Sequence, residues 1–256
     1  MTTAPETTPP RLRFLSLELT SRCQLSCSHC YAQAGPDRGH GSLTVADWRR
    51  IISEAADLGT QTVQPIGGEP LLHPHFPDLA RHALDLGLRV RAYSNLYRVR
   101  ADLWTLFEHP RLELATSYYS DDPVQHDAIT GRPGSHAATR RHIAEAVRRG
   151  VRVTVGIVAL DDGQRVEQAR AEMEALGVHG VRVDRVRAVG NAALAGVAPS
   201  MSALCGRCGD GKAAVLPDGA VVPCELGRFL KAGSVADGTS TTQADPPAPA
   251  RREPRS

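Results

Sequence analysis

The chain has 256 residues, and its 30 lysines and arginines against 28 aspartates and glutamates leave a formal charge of +2. So even a balance excludes a dedicated nucleic-acid or membrane-surface binder, and no apolar run reaches the roughly eighteen residues of a membrane helix. Residues 1–10 are polar and rich in Thr and Pro, without the apolar core of a secretion signal, so the expected location is the cytoplasm.

The alternation Phe14-Leu15-Ser16-Leu17-Glu18-Leu19 predicts a strand that runs almost directly into Cys23. Thr44, with Asp47 three residues on, predicts the capped start of a helix that Gly59 stops. A short strand over 61–66 ends at Gly67-Gly68-Glu69-Pro70, and a helix over 76–86 is stopped by Gly87. Strands at 88–93, 112–116, 151–158 and 181–186 then alternate with helices at 99–108, 135–149 and 163–176. Six strands separated by five helices, with Gly87, Gly150 and Gly177 ahead of Val-rich strands, predict a parallel α/β wind. By itself this pattern fits an open doubly wound sheet or a partial barrel; in either, chemistry collects at the C-terminal ends of the strands.

After residue 186 the texture changes. Residues 189–196 read as a small-residue loop, and 213–222 as a hairpin about Pro217-Asp218-Gly219, framed by Cys208 and Cys224. From residue 239 the chain has too little apolar surface to fold and reads as a disordered tail. The expected organisation is a disordered N-terminus (1–11), an α/β domain (12–190), a small C-terminal extension carrying the hairpin (191–238) and the tail (239–256).

The six cysteines fall into two triplets, Cys23/Cys27/Cys30 and Cys205/Cys208/Cys224, separated by 174 residues without one. In a reducing compartment, cysteines so grouped point to metal centres rather than disulfides. Three thiolates in a tight loop are one ligand short of a closed tetrahedral site. Zinc completed by His29 or His40 is one solution, and an iron–sulfur cube with one iron left open is the other.

Cys23-x3-Cys27-x2-Cys30 after the first strand, followed by Tyr31, resembles the defining loop of the radical S-adenosylmethionine (SAM) enzymes. Gly67-Gly68-Glu69-Pro70, 37 residues beyond Cys30, resembles that family's second motif. The resemblance covers roughly residues 12–230. It implies a partial (β/α)6 TIM-like barrel with a small C-terminal β-hairpin extension. It also implies a [4Fe–4S] cluster on Cys23, Cys27 and Cys30 whose open iron chelates SAM, and reductive cleavage of SAM to a 5′-deoxyadenosyl radical that takes hydrogen from substrate. By the same resemblance Tyr31, Gly67, Gly68, Glu69, Ser94, Asn95, Ser117 and Ile157 bind the cofactor, with Gly67-Gly68 admitting the SAM amino group and Glu69 pairing with it.

Cys205, Cys208 and Cys224 resemble the start of a SPASM/twitch extension, shortened here, and imply one auxiliary [4Fe–4S] cluster with Glu225 as a candidate fourth ligand; zinc is the alternative. Tyr119 and Asp121 are candidates for the substrate pocket. Gln125-His126-Asp127 matches a recurrent family stretch, read as structural. His73-Pro74-His75 reads as a surface turn without a third ligand nearby, and Arg182, Arg185 and Arg187 as mostly solvated. The expected activity is maturation of a ribosomally synthesised peptide by C–H functionalisation. A small electron donor such as flavodoxin or ferredoxin is an expected partner. Because only about a dozen residues precede the first strand, a separate leader-recognition protein is another. A small-molecule dehydrogenase or epimerase acting on a cyclitol or amino sugar is one alternative, and a non-catalytic zinc-binding protein another.

Overall fold

A computed structural model describes residues 12–193 and 198–235. The N-terminus and tail, both expected to be disordered, lie outside the described residues, as do residues 194–197 of the small-residue loop.

Six parallel strands form the body: β1 (Phe14–Thr20), β2 (Thr62–Gly67), β3 (Arg89–Tyr93), β4 (Leu112–Ser117), β5 (Val153–Ala159) and β6 (Gly180–Arg185), paired in sequence order. The sheet does not close. Along β1, Leu15, Leu17 and Leu19 face the helices and join the main core, while Ser16, Glu18 and Thr20 face the other way and are buried as polar groups. Period-two alternation thus separates an apolar outer face from a polar interior.

The helices are α1 (Val45–Asp57), α2 (Phe76–Asp85), α3 (Trp104–Phe107), α4 (Pro123–Thr130), α5 (Ser135–Arg148) and α6 (Val166–Ala175); all but α4 supply side chains to the core on the outer face, and α4 lies against the cysteine loop, where Thr130 O accepts from Ser26 N–H and Ile129 O from Ser28 N–H. α1 starts as expected: Asp47 N–H donates to Thr44 Oγ1, and the Asp47 carboxylate accepts from Thr44 N–H at 2.9 Å. It buries Trp48, Ile51, Ile52 and Ala55, which recur at helical spacing.

Two of the helices differ from the sequence expectation. The helix at 99–108 shrinks to a short turn at Ala101–Leu103 running into one turn of α3, because its buried side chains (Leu103, Trp104, Leu106, Phe107) are bunched at one end. α4 was not anticipated, since it buries His126 and Thr130 rather than an apolar stripe. Its signals are local ones: Asp122 accepts from Val124 N–H, Pro123 opens the helix, and Gly131 closes it at φ 63°.

The C-terminal hairpin is continuous with the main sheet. β7 (Lys212–Val215) pairs in parallel with β1, Phe14 opposite Lys212 through Leu17 opposite Val215, and β8 (Ala220–Val222) and β9 (Gly233–Ser234) follow antiparallel. The extension therefore covers the β1 edge and continues one nine-stranded sheet instead of forming a body of its own.

Candidate functional site

The first cysteine triplet lies in the loop leaving β1, at the C-terminal end of the strands. Cys23 is buried, Cys27 and Cys30 are half-buried, and all three line a cavity of about 330 Å³ inside the partial barrel. Backbone N–H groups point at two of the sulfurs: Leu25 N to Cys23 Sγ and Ala34 N to Cys30 Sγ, each at 3.4 Å. Asn95 Nδ2 approaches Cys23 Sγ at 3.5 Å.

Burial first, then the nearby Glu69 carboxylate and the neighbouring Cys30, push the Cys23 thiol up to about 12. Burial and the charges of Cys23 and Cys30 push Cys27 higher still. Three neighbouring buried thiolates are stable only around positive charge, so this donor set suits a bound metal cluster. Among the described residues no three His, Cys, Asp or Glu side chains are gathered as one metal ion requires. The cavity wall also holds His29 Nδ1, Tyr31 Oη and His126 Nε2, three buried polar atoms without hydrogen-bond partners, as a wall built to receive a polar ligand would.

The Gly-Gly-Glu motif is stitched to the cysteine loop through backbone. Gly68 N–H donates to Thr20 O at 2.7 Å and Glu69 N–H to Arg22 O at 2.9 Å. A Cβ at Gly67 would stand 2.3 Å from Thr20 O, and one at Gly68 2.3 Å from Arg22 O. The glycines thus permit two chain segments to touch, and both also line the cavity beside the cysteine triplet. Glu69 is fully buried; Oε1 accepts from Leu71 N–H at 3.0 Å and Oε2 from Asn95 N–H at 2.8 Å. Burial raises its carboxyl to about 7 against the pull of those two amides.

The remaining sequence-derived residues divide. Tyr31, Asn95, Ser117 and Tyr119 line the cavity, whereas Ser94 turns away from it to accept from Leu96 N–H. Ile157 lies in the apolar core, and its neighbour Val158, on the opposite face of β5, lines the cavity instead. Asp121 forms an outward ion pair with Arg165 at 2.7 Å, so it does not line the pocket. His40 bonds Thr20 Oγ1 at 2.9 Å and packs 5.3 Å from His73, so a third imidazole does stand beside His73 and His75. Asp127 accepts from Gly134 N–H, Ser135 Oγ and His136 N–H, pinning the start of α5.

Three contacts around the site escape a reading of the sequence because long chain separations create them. Asn191 N–H donates to Cys30 O at 2.9 Å and its Nδ2 to Cys27 O at 3.0 Å, clamping the cysteine loop. Arg228 pairs with Glu18, which is 1% exposed, and lies over the Tyr31 ring at 5.8 Å. Glu225 enters the barrel interior, where Oε1 accepts from Ser16 Oγ and from Gln64 Nε2, the latter at 2.9 Å.

The second triplet sits at the edge of the extension. Burial, Cys224 and Cys205 together push the Cys208 thiol up to about 11, and Cys224 Sγ accepts from Gly227 N–H at 3.3 Å.

The family model for the radical SAM superfamily matches residues 17–174. The chain belongs to the radical SAM superfamily. Membership implies a SAM-binding [4Fe–4S] cluster, and the thiol triplet at the mouth of this parallel wind fits one. The chain is 35% identical over 156 residues to a PqqA peptide cyclase of Xanthomonas axonopodis pv. citri, covering 59% of this chain and 40% of that protein. A PqqA peptide cyclase of Rhodopseudomonas palustris is 31% identical over 122 residues, covering 47% and 32%. The chain therefore spans about two fifths of the first relative's length and a third of the second's.

Among solved structures, Streptococcus suis SuiB bound to S-adenosylmethionine superposes with a TM-score of 0.69 at 14% identity, over 84% of this chain and 60% of that one. The structure of anSMEcpe with bound AdoMet gives 0.67 at 12%, over 88% and 78%. At these identities the likeness establishes the radical SAM fold.

Proposed function

We propose that this radical SAM protein cleaves SAM reductively and uses the resulting radical to remove hydrogen from a peptide, maturing a ribosomally synthesised product. The observation that carries this reading is the triplet Cys23, Cys27 and Cys30 on the wall of a cavity whose other walls present unpartnered buried polar atoms. The PqqA peptide cyclase relatives support a peptide as the substrate.

Cys23, Cys27 and Cys30 would hold a [4Fe–4S] cluster, which when bound to SAM supplies the electron that breaks the S–C5′ bond. The amides of Leu25 and Ala34 orient Cys23 and Cys30, and the Leu25 amide offsets part of the rise that burial imposes on Cys23. Asn191 fixes the loop's backbone from outside. Asn95 and Ser117 at the strand ends and Tyr31 in the cysteine loop line the cavity where SAM would lie. Tyr119, Val158 and Leu226 exclude water from the interior.

Cys205, Cys208 and Cys224 would hold one auxiliary [4Fe–4S] cluster, an electron acceptor for a product radical, with a small redox protein as donor to the chain. Anaerobic reconstitution should then give about eight irons per chain, from two four-iron clusters. With SAM and dithionite it should yield 5′-deoxyadenosine. Cys27→Ala should abolish this with the far-UV spectrum unchanged. A fully loaded protein that makes no 5′-deoxyadenosine overturns the proposal.

A further inference from the structure

Glu225 follows directly after Cys224, where it is a candidate fourth ligand for an auxiliary cluster. Its side chain instead runs into the barrel and lines the same cavity as Cys23, Cys27 and Cys30. Ser16 Oγ and Gln64 Nε2 both donate to Oε1, and Ser16 and Gln64 are themselves register partners on β1 and β2. Oε2 accepts no hydrogen bond among the described residues and is not sealed from solvent. The carboxylate is thus held by one oxygen, and the other is left to the cavity.

Its charge is also uncompensated. The nearby carboxylate, Glu18, has Arg228 as its partner, whereas Glu225 forms no ion pair among the described residues. Burial is the main cause that raises the proton affinity of Glu18, Tyr31 and Tyr93, and the Glu225 charge adds to it in each case. A carboxylate with no ion-pair partner on the wall of a cavity attracts a cation more strongly than one in bulk solvent.

Depth separates this group from the place where SAM would bind. Ser16 lies four residues before the end of β1 and Gln64 three before the end of β2. At about 3.3 Å per residue, the Ser16 and Gln64 positions that hold Glu225 lie roughly 10–13 Å before the C-terminal ends of their strands. SAM held at that loop would take up the cysteine end of the cavity, leaving the Glu225 end to the substrate.

We infer that Glu225 is a substrate-positioning residue: its free oxygen takes a cationic side chain, an ammonium or guanidinium, of the peptide. The inference rests on the proposed peptide-modifying function. It assigns the C-terminal extension a direct part in substrate selection, by way of one residue threaded into the barrel.

The test uses the full chain, reconstituted anaerobically and loaded with SAM. The probes are N-acetyl amides of lysine, arginine, norleucine and glutamate, followed by saturation-transfer NMR at low ionic strength. The lysine or arginine probe should bind about tenfold more tightly than norleucine, about 1.4 kcal/mol. Glu225→Gln should bring the probes within about twofold of one another, and Glu225→Lys should transfer the preference to the glutamate probe. Equal binding of lysine and norleucine by the native chain, or a preference that survives Glu225→Gln, overturns the inference. So does loss of about four irons per chain in Glu225→Gln, which would make Glu225 a cluster ligand. SAM binding by the native chain is read separately. Its absence counts against the proposed function, whereas a chain that binds SAM without favouring cationic probes refutes this inference alone.

Discussion

Substituting Gly68 with alanine isolates the contact between the second motif and the cysteine loop. Gly68 has ordinary backbone angles, so the only penalty is the added Cβ, which would stand 2.3 Å from Arg22 O and 2.7 Å from Arg22 C. Relieving such an overlap needs about 1 Å of movement between two backbone segments, which costs about 1–3 kcal/mol in a packed site. The same movement stretches the bonds from Gly68 N–H to Thr20 O and from Glu69 N–H to Arg22 O, at about 1 kcal/mol each.

A loss on the order of 3 kcal/mol is expected, and at about 2–4 °C per kcal/mol for a domain of this size it lowers Tm by roughly 6–12 °C. Cys23 follows Arg22 directly, so iron retention should fall as well. Gly35→Ala is the matched control: it lies against the same loop, its Cβ would meet nothing within 4 Å, and its stability should change by less than about 0.5 kcal/mol. Thermal melting by circular dichroism and iron per chain after anaerobic reconstitution measure both effects. A Gly68→Ala protein with full iron and a Tm within about 2 °C of the native chain would refute the reasoning.

Two further changes probe the polar interior and the pocket wall. Arg228→Met leaves the buried Glu18 carboxylate without its partner. Because Arg228 retains 23% side-chain exposure, the expected loss is about 2–4 kcal/mol, below that of a fully buried pair. Adding Glu18→Leu should recover most of that loss in urea melts, and a single variant as stable as the native chain would count against the ion pair. His126 is buried and its imidazole is lowered from 6.5 to about 4. Between those values the unfolded chain takes up a proton that the folded chain refuses, so this group's contribution is present above pH 6.5 and lost as pH falls. The native protein should lose about 2 kcal/mol from this source between pH 7.5 and 5. His126→Asn, which keeps a donor for Ser135, should show a flatter urea-stability profile by that amount, and parallel profiles would sink the assignment.

Much of the architecture was legible in local chemistry. The Thr44–Asp47 cap, the glycine stops at Gly59, Gly87 and Gly177, and the hairpin about Pro217-Asp218-Gly219 depend on neighbours a few residues apart. α4 was missed although Asp122-Pro123 and Gly131 mark both ends, because its inward side chains are polar and show no apolar period. The alternation of Ser16, Glu18 and Thr20 with leucines was a readable sign of a polar barrel interior. Nothing in it named the groups that meet those side chains.

The sequence by itself determined the order of the strands, the two cysteine triplets and the family, since each is a matter of spacing along the chain. Only the tertiary structure decided what the spaced residues touch. It turned Ile157 into the core, made Gly67 and Gly68 a backbone contact, and engaged Glu69 with two amides. It also brought Asn191 to the cysteine loop across 164 residues and Glu225 to Ser16 across 209. The Glu225 contact follows from β7 closing on the edge of β1, and strand pairing over that distance is set by burial of the whole sheet, which no local pattern encodes.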